Sequence, residues 1–124
     1  MLINEILTVS ENSSYLGLHN INGHQNYIFI STIEVFNHFS QPIILRKGEF
    51  FICYFGSKTK SPVNTKEKTV EIAPGKRFKF KIGFKLTSDI AFAEGKLTFS
   101  TLNSNIKTKI DTGKIYLSST PSLN

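Results

Sequence analysis

The sequence lacks most of the residues that carry recognisable chemistry. Among 124 residues it has one Cys, one Met and no Trp. A lone Cys53 excludes an intramolecular disulfide and any zinc site built on paired cysteines. It lies in the apolar run FFICYF, residues 50–55, where a free thiol packs as a small hydrophobe. A nucleophilic thiol would need exposure and a neighbouring base. His19, His24 and His38 are scattered without metal-ligand spacing, and the nine acids show no pairing by spacing. No nucleophile elbow, phosphate-binding P-loop or dinucleotide fingerprint is present. These absences argue against an enzyme and imply no cofactor, no metal and no small-molecule substrate.

Two further absences bound the class. No run approaches the roughly twenty apolar residues of a membrane helix, so no membrane span is expected. Residues 1–14 carry no basic segment ahead of an apolar stretch. The expectation is therefore cytoplasmic by default, or extracellular if the sequence is that of a mature form. Residues 1–45 contain no Lys or Arg and three acids, a charge of −3; the remainder holds all fifteen cations and six acids, +9, recovering the net +6. Such asymmetry marks attraction to an anionic partner, or lysines that keep exposed strands soluble and their edges unpaired.

What the sequence has in quantity is phenylalanine, eleven residues, and short apolar runs separated by turn residues. Aromatic and β-branched residues favour strands. Weak strand signals occur near Leu7 and Tyr15. Strong ones cover 27–37, 42–45 and 50–55, the last two separated by RKGE, which reads as a turn. Residues 57–68 are polar and lysine-rich and read as a long mobile loop. Strands follow at 77–86, 96–102, 106–110 and 114–117. The one helical candidate is a single turn in 88–96, capped by Ser88 or Asp89 and ended by Gly95. Seven to nine short strands without crossover helices predict an all-β chain. The expected fold is a single antiparallel β-sandwich spanning 1–124, or alternatively a small β-barrel, with 1–14 and 118–124 peripheral.

The most strongly patterned stretch is RFKFKIGFKL at 77–86. Strand side chains alternate between faces. Phe78, Phe80, Ile82, Phe84 and Leu86 thus share one face, and Arg77, Lys79, Lys81 and Lys85 the other. Burying each apolar side chain contributes about 1.5–3 kcal/mol. A one-residue slip would turn four cations inward, so the register is strongly specified.

Upstream, the segments IEVFNHFSQPIIL and VEIAPG supply Val35, Asn37, Pro42, Ile43, Pro74 and Gly75 ahead of Phe78 and Phe80. This arrangement, over roughly residues 27–111, resembles the secreted bacterial immunoglobulin-like (telokin-like) sandwich modules. The resemblance implies a binding or spacer domain without chemistry of its own.

Two strands are apolar on both faces. In 27–36 and 50–55 the second faces carry Ile28, Ile30, Phe36, Phe50, Ile52 and Tyr54. A two-layer sandwich buries one face of each sheet, so these six residues are candidates for an interface with a protein partner or a second copy, a homo-oligomer. The alternative reading is a basic β-barrel that binds single-stranded nucleic acid, RNA in particular. Alternate strand residues stand about 6.7 Å apart, and Lys76, Arg77, Lys79, Lys81 and Lys85 would track phosphates, with Lys107 and Lys109 widening the surface. Its stacking platform would have to come from Tyr54, Tyr116 or a loop.

Overall fold

A computed structural model describes residues 6–56, 61–66, 69–104 and 106–119. Eight strands run in order: β1 Leu7–Ile21, β2 His24–Asn37, β3 Ile43–Cys53, β4 Ser61–Lys66, β5 Val70–Ile72, β6 Arg77–Leu86, β7 Ile90–Thr101 and β8 Thr108–Ser118. They form two antiparallel sheets, β1-β2-β6 and β4-β3-β7-β8, with β5 pairing β3 beside β4. The result is an all-β sandwich and not a closed barrel. Among the described residues there is no helix, and so none long and apolar enough to cross a membrane.

The small sheet is built on β2. A two-residue loop, Asn22-Gly23, joins it to β1, with Ile21 opposite His24. Both loop residues have positive φ (53° and 81°), as the hairpin turn matching strand twist requires. Along its other edge β2 pairs with β6 from Phe36↔Arg77 to Tyr27↔Leu86. Inward side chains of the two strands interleave: Phe29, Ile33 and Val35 with Ile82, Phe84 and Leu86, all buried. Facing them across the sandwich are Ile43, Phe50 and Ile52 of β3, Ala91, Ala93 and Leu97 of β7, and Ile115 and Leu117 of β8. The two sheets share this one core. The alternation expected for β6 holds, with cations out and apolar residues in, although Phe78 and Phe80 are only half-buried.

Asn37, at the end of β2, is fully buried and fully satisfied. Its side-chain amide donates to the carbonyls of Gln41 (3.0 Å) and Ile72 (2.9 Å), and its Oδ1 accepts from the Phe39 N–H (2.8 Å). Its own N–H donates to the Lys76 carbonyl (3.0 Å), and its carbonyl accepts from the Gly75 N–H (2.9 Å). One residue thus ties the β2–β3 connection, β5 and the Pro74-Gly75 turn that launches β6. Gly75 sits at φ 72°, which suits glycine.

The remaining differences from the sequence expectations have local causes. RKGE is not a turn: β3 runs through it, and the register against β7 shifts between Leu45 and Lys47, a β-bulge. The helical turn at 88–96 is absent. Ser88 Oγ accepts from the Ile90 N–H in the β6–β7 turn, and the small residues Ala91, Ala93 and Gly95 line the inner face of β7. Gly95 is required there because a Cβ would stand 2.6 Å from the Phe50 ring and 2.8 Å from Thr112. Residues 106–110 and 114–117 belong with one strand, β8, and Ile106 lies exposed ahead of it. The loop expected over 57–68 contains β4, paired with β3, while 57–60 and 67–68 lie outside the described residues. Residues 7–14 are not peripheral but paired with β2; residues 1–5 and 120–124 lie outside the described residues.

Two substitutions test this frame. Asn37→Ala leaves two carbonyls and an N–H without partners and should lower stability by about 2–4 kcal/mol, read as a lower urea midpoint. Gly95→Ala should cost about 1–3 kcal/mol through overpacking against Phe50. A midpoint unchanged in either variant would contradict the corresponding contact.

Candidate docking surface

The six residues expected at an apolar interface do not form one surface. Phe50 and Ile52 point into the core, at 0 and 2 % exposure. They are corrected to core residues: β3 is interior to its sheet, and its inner face packs beneath β6, where Phe50 meets Phe80 edge-on at 6.1 Å. Tyr54 is half-buried against the core, and its hydroxyl accepts the Thr87 N–H (3.2 Å). Ile28, Ile30 and Phe36 do share the outer face of β2, half-buried, with Thr32 and Glu34 standing between Ile30 and Phe36.

That outer face is also where the basic stripe stands. In the β2–β6 register, Arg77 is opposite Phe36, Lys79 opposite Glu34, Lys81 opposite Thr32, and Lys85 opposite Ile28. Glu34 accepts ion pairs from Arg77 Nε (3.4 Å) and Lys79 Nζ (3.5 Å). The Arg77 guanidinium also lies 5.2 Å from the centre of the Phe36 ring. Arg77 therefore covers Phe36, and the apolar outer face of β2 is partly closed by its own neighbours. Lys81 and Lys85 have no acidic partner among the described residues. Lys76 is exposed in the turn before β6.

Lys107 and Lys109 do not widen the stripe. Lys109 pairs with Thr98 on the larger sheet, in β8, and β8 approaches β1, at the opposite side of the sandwich from β6. Tyr116 is exposed on β8 beside Phe92 (6.3 Å), which in turn meets Phe55 (5.8 Å), with Lys114 Nζ 4.8 Å above the Phe92 ring. This aromatic group belongs to the larger sheet, whereas the stripe belongs to the smaller one. The cations of β6 are thus not interleaved with these rings.

The feature that sequence reasoning missed lies at the open side of the sandwich. With β1 set against β8, the strand orders set β6 against β3, and the β4/β5 edge extends beyond β6 with no described strand of the smaller sheet opposite it. A cleft of about 280 Å³ opens there, walled by Leu45, Gly48, Val70, Phe78 and Phe80, with Lys47 and Lys81 lining it. Phe78 and Phe80 stack at 5.8 Å. The sequence pattern assigned both rings to the core. Nothing in a period-two pattern separates inward residues near the middle of a sheet from inward residues at its margin. Val70 and Lys47 carried no signal.

Among the described residues no group of three or more histidine, cysteine or carboxylate side chains could hold a metal ion. His38 is hydrogen-bonded to Thr8 (2.9 Å) and stacks near Phe36. Cys53 is buried, and its thiol points to the Tyr54 carbonyl.

No family model matches the chain, and no curated protein matches it significantly. Solved structures do. The X-ray structure of structural genomics target SoR45 superposes with a TM-score of 0.82 at 18 % identity, covering 98 % of this chain and 91 % of that one. A putative ApaA protein from Bordetella pertussis gives 0.76 at 22 % identity, covering 90 and 92 %. A protein from Archaeoglobus fulgidus gives 0.54 at 11 % identity, covering 91 and 98 %. At these identities the likeness establishes the fold alone.

The role of Glu34 is open to direct measurement. Glu34→Gln removes two exposed ion pairs and should change stability by less than about 1 kcal/mol. It also releases Arg77 and Lys79, so the variant should elute from a heparin column at higher salt than the parent. Elution at the same salt would show that Glu34 does not neutralise the stripe.

Proposed function

We propose that the chain is a non-enzymatic, immunoglobulin-like binding module that docks an acidic protein segment at the cleft beside β6. The observation that carries this reading is the cleft itself: a wall of Leu45, Val70, Phe78 and Phe80 that Lys81 and Lys47 also line, Lys47 being ion-paired with Glu49 (3.8 Å). An apolar surface with convergent charged groups suits a ligand with an apolar body and carboxylates. The sequence supports the same sign, since all fifteen cations fall after residue 45.

A second copy fits this cleft poorly. Two β6 edges brought together would oppose lysine to lysine, and like charges directly opposite are destabilising. Single-stranded RNA fits the same region poorly for a different reason. Glu34 holds two of the stripe's cations, and the Phe55–Phe92–Tyr116 rings belong to the other sheet. Phosphate tracking along four free cations would produce a log–log salt slope of about −3; two unpaired lysines on β6 predict a weaker and shallower response.

The test is selection of peptide ligands from a displayed random library against the immobilised protein, with light scattering on the free protein. Selected ligands should be acidic, and each should lose at least about tenfold in affinity on Phe78→Ser or Lys81→Glu. Ligands indifferent to both changes would overturn the assignment of the cleft. A stable dimer that Phe78→Ser dissociates would replace the acidic partner with a second copy. Tight, steeply salt-dependent retention of single-stranded RNA would favour the nucleic-acid reading instead.

A further inference from the structure

β6 is an edge strand. It pairs with β2 on one side, and no described strand occupies the other. Such an edge presents unpaired N–H and C=O groups to any chain able to pair with it. Its outer-face positions are Arg77, Lys79, Lys81, Gly83 and Lys85, and its inner-face positions Phe78, Phe80, Ile82, Phe84 and Leu86. Among the described residues the larger sheet has one strand position, β4/β5, with no counterpart in the smaller sheet. The cleft marks that missing place, since Val70 of β5 and Phe78 and Phe80 of β6 line it together.

Resting on the binding reading above, we infer that the docked segment is an extended peptide that adds to β6 as a fourth strand of the smaller sheet, alternating acidic with apolar residues. Three observations specify this pattern. Residues directly opposite in an antiparallel pair share a face, so those facing Lys81 and Lys85 stand on the outer face, where amines without acidic partners favour carboxylates. Intervening residues turn inward over Phe78, Phe80, Leu45 and Val70, where apolar side chains fill the cleft. Between the two free lysines stands Gly83, where a Cβ would meet nothing within 4 Å, leaving room for a larger residue of the added strand. The lysines therefore both reject basic strands and select acidic ones, so one set of side chains supplies repulsion and recognition together.

The experiment uses three synthetic eight-residue peptides titrated into the ¹⁵N-labelled chain. One alternates Asp with Val or Leu. The second has the same composition with its four Asp in one block. The third alternates Lys with Val or Leu. An eight-residue strand spans about 27 Å, enough to cover Phe78 to Lys85. The alternating acidic peptide should shift resonances along β6 and the cleft. It should slow exchange of the β6 amides that face away from β2 by at least about tenfold. Its affinity should fall at least about tenfold in the doubly substituted Lys81→Glu, Lys85→Glu chain, whose fold is checked by circular dichroism. Equal binding of the block or lysine peptide, or shifts located away from β6, would overturn strand addition. If library-selected ligands occupy the cleft while the alternating peptide leaves β6 unchanged, strand addition falls and the binding module stands. If neither kind of ligand engages the cleft, both fall.

Discussion

The period-two alternation of β6 is the constraint on which the rest of this structure depends. Ile82, Phe84 and Leu86 are fully buried, and between them stand Gly83 and Lys85 on the opposite face. Burial of three such side chains is worth about 5–9 kcal/mol, comparable with the whole net stability of a small domain. The same alternation sets every cation of the strand on the outer face. Core packing and surface charge are thus two consequences of one register. Where β6 leaves the centre of the sandwich, its inward rings lose their cover, and Phe78 and Phe80 become the wall of a cleft.

Asn37 holds that register in place. A strand that must enter the sheet at one residue needs a fixed starting point, and the Pro74-Gly75 turn supplies it through hydrogen bonds to the Asn37 backbone. The side chain of Asn37 meanwhile satisfies groups from the β2–β3 connection and β5. Buried polar groups are costly unless fully paired, and here every side-chain donor and acceptor of Asn37 is used. The site where β5 joins β3, and hence the position of Val70 in the cleft, follows from this one junction.

Much of the fold was legible in the sequence where pattern and environment agree. β6 runs from Arg77 to Leu86, as its alternation predicts, and Asn37, Pro74 and Gly75 mark a real junction. The illegible parts are those where a bulge or a small residue mimics another signal. RKGE reads as a turn because its Gly48 mimics a turn glycine, whereas the bulge falls at Arg46 and Gly48 stays in register opposite Leu97, where a Cβ would stand 3.2 Å from the Leu97 and Phe50 side chains. Gly95 reads as a helix end because the Phe50 ring occupies the space where its side chain would be. β4 hides in a polar stretch because an edge strand needs little apolar content and tolerates Pro62, which is exposed there. The candidate surface was half legible. The cations and the outer residues of β2 were identified, but that they share a face, and that Glu34 neutralises two of them, depends on cross-strand register. Phe50 and Ile52 were misplaced because an apolar run cannot show which of its faces meets a second sheet.

The central claim is that β6 has one satisfied edge and one free edge in the isolated chain. Native-state hydrogen exchange measures this directly, because successive amides of a strand point alternately to its two sides. The account predicts alternating protection along residues 77–86: amides facing β2 exchange only with global unfolding, and the intervening ones exchange orders of magnitude faster. Uniform strong protection along the whole strand would contradict it, since something in the free protein would then already occupy the outer edge.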